Sequence, residues 1–145
     1  MNFEEFNKKY AEQILADGRV TQEQIDECMA LTDEGNNITL EDALVSKEVL
    51  SRVSAKLITS KVVDVGFIDL FTYDVDPLVV MKADKATCLM YCCLPIGELF
   101  GETIVVTDNV LNSKDEVLRA VFGQNIDIKL AVKDEIKAQI KKHYN

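Results

Sequence analysis

Apolar positions in the first half of the chain recur at helical spacing. Phe3, Phe6, Tyr10, Ile14 and Leu15 mark one face of a segment ending near Gly18, and Ile25, Cys28 and Met29 share a face behind Thr21, which has the chemistry of an N-cap. After the polar loop "TDEGNN", Thr39 with Asp42 opens a third helix through Val45, and Ser51 caps a fourth that stops at Gly66. Shifting the chain against itself by 30 residues aligns Tyr10 with Leu40, Ile14 with Leu44, Leu15 with Val45, Val20 with Leu50 and Thr21 with Ser51. The pattern predicts two helix-pair repeats, about 9–32 and 39–62, in a helical lobe spanning 1–66.

From Phe67 the texture shifts to short elements. Asp76-Pro77 starts a helix through "PLVVMKADKA", the runs "TCLMYCCLP" and "ETIVVTD" read as a hairpin, and Ser113 with Glu116 reads as a capping box for "KDEVLRAVF". The alternating "IDIKLAV" gives a third strand, and "KDEIKAQIKKHY" closes with Ile136, Ile140 and Tyr144 on one stripe. The expected class is α+β: the four-helix lobe, then a small α/β lobe over 67–145 with a three-stranded, largely antiparallel sheet under helices, the two lobes forming one compact unit.

Charge narrows the function. At −9 formal charge and pI ≈ 4.6, the chain would repel a nucleic acid backbone, so no polymer of that kind is an expected partner. No apolar run reaches membrane-spanning length, and the start "MNFEEFNKKY" is too charged for a secretory signal; the expected location is cytoplasmic, reaching the inner membrane only through a partner.

That compartment argues for reduced thiols at Cys28, Cys88, Cys92 and Cys93. On a strand, Cys88 and Cys92 would stand about 13 Å apart, too far to share one ion, whereas their spacing would fit if the segment were helical; the hairpin reading favours the strand. The expected role of the cysteines is therefore as small buried hydrophobes. The single His143 lies near the end of the chain, and no phosphate-cradling glycine loop occurs. Neither a catalytic nor a metal residue is proposed, and no enzyme is expected.

The order of these elements and several of their residues resemble the N-terminal domain of the ATPases that drive type II secretion and type IV pilus assembly. "FIDLFTYDVDPLVV" resembles that family's junction, with an aspartate-leucine, a tyrosine, then Asp-Pro opening a helix. "LPIGELFGETIVVTDN" resembles its next landmark, ending at Asp108, although Asn109 stands where the family often has proline.

In some family members the repeated unit binds the bacterial second messenger cyclic di-GMP through a pattern beginning Arg-Leu-Gly. Placed here, the first copy reads Lys9, Tyr10, Ala11, then Ile14, Leu15, Gly18, Ile25 and Met29, with Thr32 at the expected glutamine. The second copy reads Thr39, Leu40, Glu41, Leu44, Val45 and Glu48, then Ala55, Thr59 and Val62. The arginines and glutamines are gone, and Glu41 and Glu48 stand where the pattern has glycine, setting negative charge beside an anion.

The resemblance thus implies a non-catalytic interaction domain with no cofactor, whose partner is another protein of a secretion, pilus or regulatory apparatus; Phe3 and Phe6 are the docking candidates. The alternative is a sensor of cyclic di-GMP or a related nucleotide through Lys9, Tyr10, Ala11, Ile14, Gly18, Arg19, Leu40 and Leu44, with Lys8 adding charge. The oligomeric state is left open.

Overall fold

The computed structural model describes residues 1–144. It divides into two units, Met1–Asp64 and Val65–Asn145. The first holds α1 (Phe3–Asp17), α2 (Gln22–Met29), α3 (Leu40–Ser46) and α4 (Arg52–Val63). Each start has a side chain for an orphan backbone N–H: Asn2 accepts from Glu5, Thr21 and Thr39 form reciprocal boxes with Gln24 and Asp42, and Ser51 accepts from Ser54. Between α2 and α3 the polar loop is pinned by paired backbone bonds between Asp33 and Ile38, at 2.9 and 2.8 Å.

Two backbone features follow the thirty-residue offset. Gly18 ends α1 at φ 73°, and Glu48 sits at φ 60° after α3, so a left-handed turn precedes each of the caps Thr21 and Ser51. Glycine adopts that turn freely, whereas the glutamate does so at a steric cost.

Phe6, Tyr10, Ile14, Leu40, Leu44, Ala55 and Ile58 are all buried in this unit, with the Phe6 and Tyr10 rings 5.5 Å apart. Phe3 is buried too, so the docking candidates Phe3 and Phe6 present no exposed apolar patch, and Phe3 reaches the surface only at an edge. They continue the stripe of Tyr10 and Ile14 at three- and four-residue steps, and the face that buries the later residues buries them as well.

The second unit holds α5 (Pro77–Val80), α6 (Lys85–Tyr91), β1 (Cys93–Leu99), β2 (Glu102–Thr107), α7 (Lys114–Phe122), β3 (Ile126–Leu130) and α8 (Lys133–His143). The class is α+β as expected, but the sheet, ordered β1-β2-β3, is mixed: β1 and β2 pair antiparallel, β2 and β3 parallel. A tight hairpin joins the first pair, while α7 carries the chain back over the sheet before β3, and such a crossover returns a strand in parallel.

Three local expectations change. "TCLMY" is helical rather than the start of a strand: Asp84 accepts from Thr87 N–H at 2.7 Å to open α6, and left-handed Cys92 (φ 47°) closes it. A strand buried on both faces would hide Leu89 and Met90, which are 52% and 73% exposed. The helix read over "PLVVMKADKA" is one turn only, because Asp84 starts a new one. Ser113 forms no capping box; its backbone is left-handed at φ 60°, whereas a cap needs extended geometry.

The sheet buries both faces. Leu94, Ile96, Ile104 and Val106 pack with Leu70, Val80, Cys88, Ile136 and Ile140 on one side. Cys93, Val105, Ile126 and Ile128 pack with Leu118 on the other.

The junction and hairpin landmarks meet here. The register slips between Pro95 and Gly97, the carbonyl of the extra residue Ile96 accepts from Asp76 N–H at 2.9 Å, and Tyr73 lies over Gly97. A methyl group on Gly97 would stand 2.7 Å from the Tyr73 hydroxyl and 3.7 Å from its ring carbon. Gly97→Ala is therefore expected to cost about 1–3 kcal/mol. Because the hydroxyl is the offending atom, Tyr73→Phe should recover most of that loss in the double variant; urea denaturation of the four proteins of this cycle measures it.

Candidate functional site

In the first unit, α1 and α2 are joined by the left-handed turn at Gly18 and border a groove of ≈ 540 Å³. Four residues singled out by the resemblance line it: Ala11 from α1, Ile25 and Met29 from α2, and Thr32 beyond it. Phe3 and Asn7 also reach the lining, and carbon supplies most of its surface. Asn7 is buried and its side-chain oxygen accepts the Leu40 N–H at 2.8 Å, so it is committed to holding the start of α3. The ionisable lining is Lys8 against Glu4, Glu12, Asp26 and Glu34: one positive group facing four negative ones.

The remaining candidates do not converge there. Lys9 is exposed and lines a separate cleft of ≈ 330 Å³ with Glu12, Gln13, Ala16, Lys61 and Val62. Arg19 is exposed and lines neither, and Gly18 serves the turn. Tyr10, Ile14, Leu40 and Leu44 are core residues. Sequence reasoning passed over Glu4, Glu12 and Asp26 as groove residues. Their signal was spacing: Glu4 and Glu12 lie near Ala11 on one helical face, and Asp26 follows Ile25.

At the second copy, Glu41 is turned inward. Its carboxylate meets Lys56 Nζ at 2.8 Å and accepts a bond from the Thr59 hydroxyl. Both partners of the ion pair are buried. Burial raises the Glu41 carboxyl above the ordinary carboxylate range, against the pull of the Lys56 ammonium. Tyr10 donates its hydroxyl to the Ala55 carbonyl at 2.8 Å, and burial together with the Glu41 charge raises its phenol. The expectation that Glu41 repels a ligand thus needs correction: its charge is neutralised inside the protein. Glu48 remains exposed.

In the second unit the cysteines serve the core. Cys88, on α6, packs in one core cluster and Cys93, on β1, in the other, while Cys92 lies between them in the turn. Burial first, then the Asp108 carboxylate, pushes the Cys92 thiol up to about 11. A hydrogen bond with Cys88, then burial, raises Cys93. These two thiols therefore stay protonated at neutral pH. Among the described residues no group of His, Cys, Asp or Glu is arranged to hold a metal ion. Large exposed apolar side chains lie in this unit, at Phe71, Leu78, Met81 and Phe100.

Residues 63–145 match the model of the MshEN domain. The chain belongs to the MshEN domain family. This is the N-terminal domain of type II secretion and type IV pilus assembly ATPases, a regulatory and docking domain rather than a catalytic one. The likeness in fold extends over nearly the whole chain. The structure of MshE with cyclic di-GMP is 15% identical and superposes with a TM-score of 0.77 over 93% of this chain and 98% of that one. The N-terminal domain of XpsE is 14% identical with a TM-score of 0.70, over 97% and 96%. A second crystal form of it gives 17% and 0.58, over 92% and 93%. At such identities the likeness is one of fold. No curated protein matches this MshEN sequence. Among the described residues no helix is long and apolar enough to cross a membrane.

Proposed function

We propose that this MshEN domain works by docking on another protein of a secretion or pilus apparatus, in the cytoplasm, and that it does so without cyclic di-GMP. One observation carries the reading: the groove at the first-copy motif positions keeps an apolar floor of Ala11, Ile25 and Met29, but four carboxylates and one lysine line it. Cyclic di-GMP brings two phosphates. Each phosphate set 4 Å from a carboxylate is opposed by about 1 kcal/mol in water and about 4 kcal/mol at the effective dielectric of a protein surface. Neither Lys9 nor Arg19 lines the groove. In the second copy, Leu40, Glu41 and Leu44 are buried in the core.

Calorimetric titration with cyclic di-GMP, paired with a melting curve at saturating messenger, tests this. The expected result is no binding heat and an unmoved melting temperature. A ligand held a hundredfold above its dissociation constant would add about 2.7 kcal/mol of stability, so binding heat with a raised melting temperature would overturn the proposal in favour of a sensor.

A further inference from the structure

Resting on the docking reading above, we propose that the groove between α1 and α2 is the docking site itself and that its occupant is an amphipathic, basic helical segment of the partner protein. The groove's volume, ≈ 540 Å³, leaves room for a few anchoring side chains. Its floor offers Ala11 and Met29, with the edges of the buried Phe3 and Ile25 beneath them, to leucine-like anchors repeating at helical spacing.

Charge selects the occupant. Glu12 on α1 and Asp26 on α2 are both exposed and both line the opening, so a bound helix with lysine or arginine beside its apolar stripe would meet carboxylates from both helices. Glu4 and Glu34 add to the same sign, and Lys8 alone opposes it. An acidic helix would be repelled, and such unlike-charge matching sets register and partner choice more than bulk affinity. A second copy of this chain fits poorly: its lysine-rich α8 buries Ile136 and Ile140 in its own core, so its apolar stripe is not free to enter the groove.

The probe is a synthetic helix of about 15 residues carrying leucines at i, i+3, i+4 and i+7 with lysines flanking them, alongside a twin with glutamate for lysine. Both are titrated into the full chain while the methyl groups of Ala11, Ile25 and Met29 are followed by NMR. The expected result is that the lysine peptide shifts those methyls and the glutamate twin does not. Glu12→Lys with Asp26→Lys should weaken binding at least tenfold, whereas Asp74→Lys with Glu102→Lys, exposed positions that do not line the groove, should change it less than twofold.

The assignment is overturned if neither peptide binds the folded chain, if both bind alike, if the shifts spread over the acidic surface, or if the two charge reversals weaken binding equally. Adding cyclic di-GMP alone separates the two readings. Shifts of these methyls by the messenger would overturn the docking function as a whole, whereas failure of the lysine peptide with the messenger silent overturns only this choice of site and occupant.

Discussion

Lys56→Met is expected to remove about 3–5 kcal/mol of stability, because it leaves the Glu41 carboxylate buried without its cation. At a typical urea slope the midpoint would fall by roughly 2 M, a large share of what an ordinary domain possesses. The cost should depend on pH in a defined direction. Burial already holds the folded-state pKa of Glu41 above its unfolded value, and losing the ammonium removes the main opposing influence. The folded variant then binds a proton more tightly than the unfolded chain, so its stability falls as pH rises from the ordinary carboxylate range through the raised value. Lowering the pH from 7 toward 5 should shrink the deficit relative to the unsubstituted protein measured at the same pH.

Replacing both partners, Glu41→Leu with Lys56→Met, should bring stability back to within about 1 kcal/mol or better, since a well-packed apolar pair avoids the desolvation of two charges. Thr59 retains an acceptor in that variant, the Ala55 carbonyl at 3.3 Å. Urea titrations of the three proteins at pH 7 decide the matter; a Lys56→Met variant no weaker than the double would mean that the ion pair is not held inside the unit.

The same pair shows where sequence reading stops. Glu41 and Lys56 are fifteen residues apart on different helices, and nothing in either local pattern says that their charges meet. Where the information is local, it was readable: Thr21, Thr39 and Ser51 announce their helices because a cap is a contact between residues three apart. The Ser113 box has the same letters and fails, because the preceding turn drives Asn112 and Ser113 into the left-handed region.

"TCLMYCC" misled because a short apolar run satisfies either period; the deciding feature is the left-handed turn at Cys92, which no glycine marks. The parallel pairing of β2 with β3 was within reach, since a strand, a helix and a strand in succession are the usual signature of a crossover. Of the groove, Ala11, Ile25, Met29 and Thr32 were visible only through the family pattern. Its acidic lining was hidden among charges that elsewhere are merely solvated, and it became visible once α1 and α2 were placed side by side.

The dependence of α7 on one side chain gives the second large effect, an expected loss of about 2–5 kcal/mol for Leu118→Ala. Lys114–Phe122 is nine residues long, shorter than helices that hold themselves together in water, and Ser113 gives it no side-chain cap. Its one fully buried residue is Leu118, set among Cys93, Val105, Ile126 and Ile128, with Phe122 only partly covered beside it. Arg119 ties the far end by donating to the carbonyls of Gln124 at 3.3 Å and Ile126 at 3.2 Å, but these bonds are at least partly exposed to water and cannot replace the packing.

Truncating Leu118 would open a cavity on this face of the sheet and loosen the crossover that makes β3 parallel to β2. Leu118→Met, which conserves volume, should cost under about 1.5 kcal/mol, and Val117→Ala, at an exposed position, under about 0.5 kcal/mol. Hydrogen exchange separates packing from propensity: in Leu118→Ala the α7 amides should lose protection along with those pairing β2 to β3, whereas in Val117→Ala both sets should stay protected. Equal costs for the two alanine variants would mean that α7 is held by its termini and not by its buried leucine.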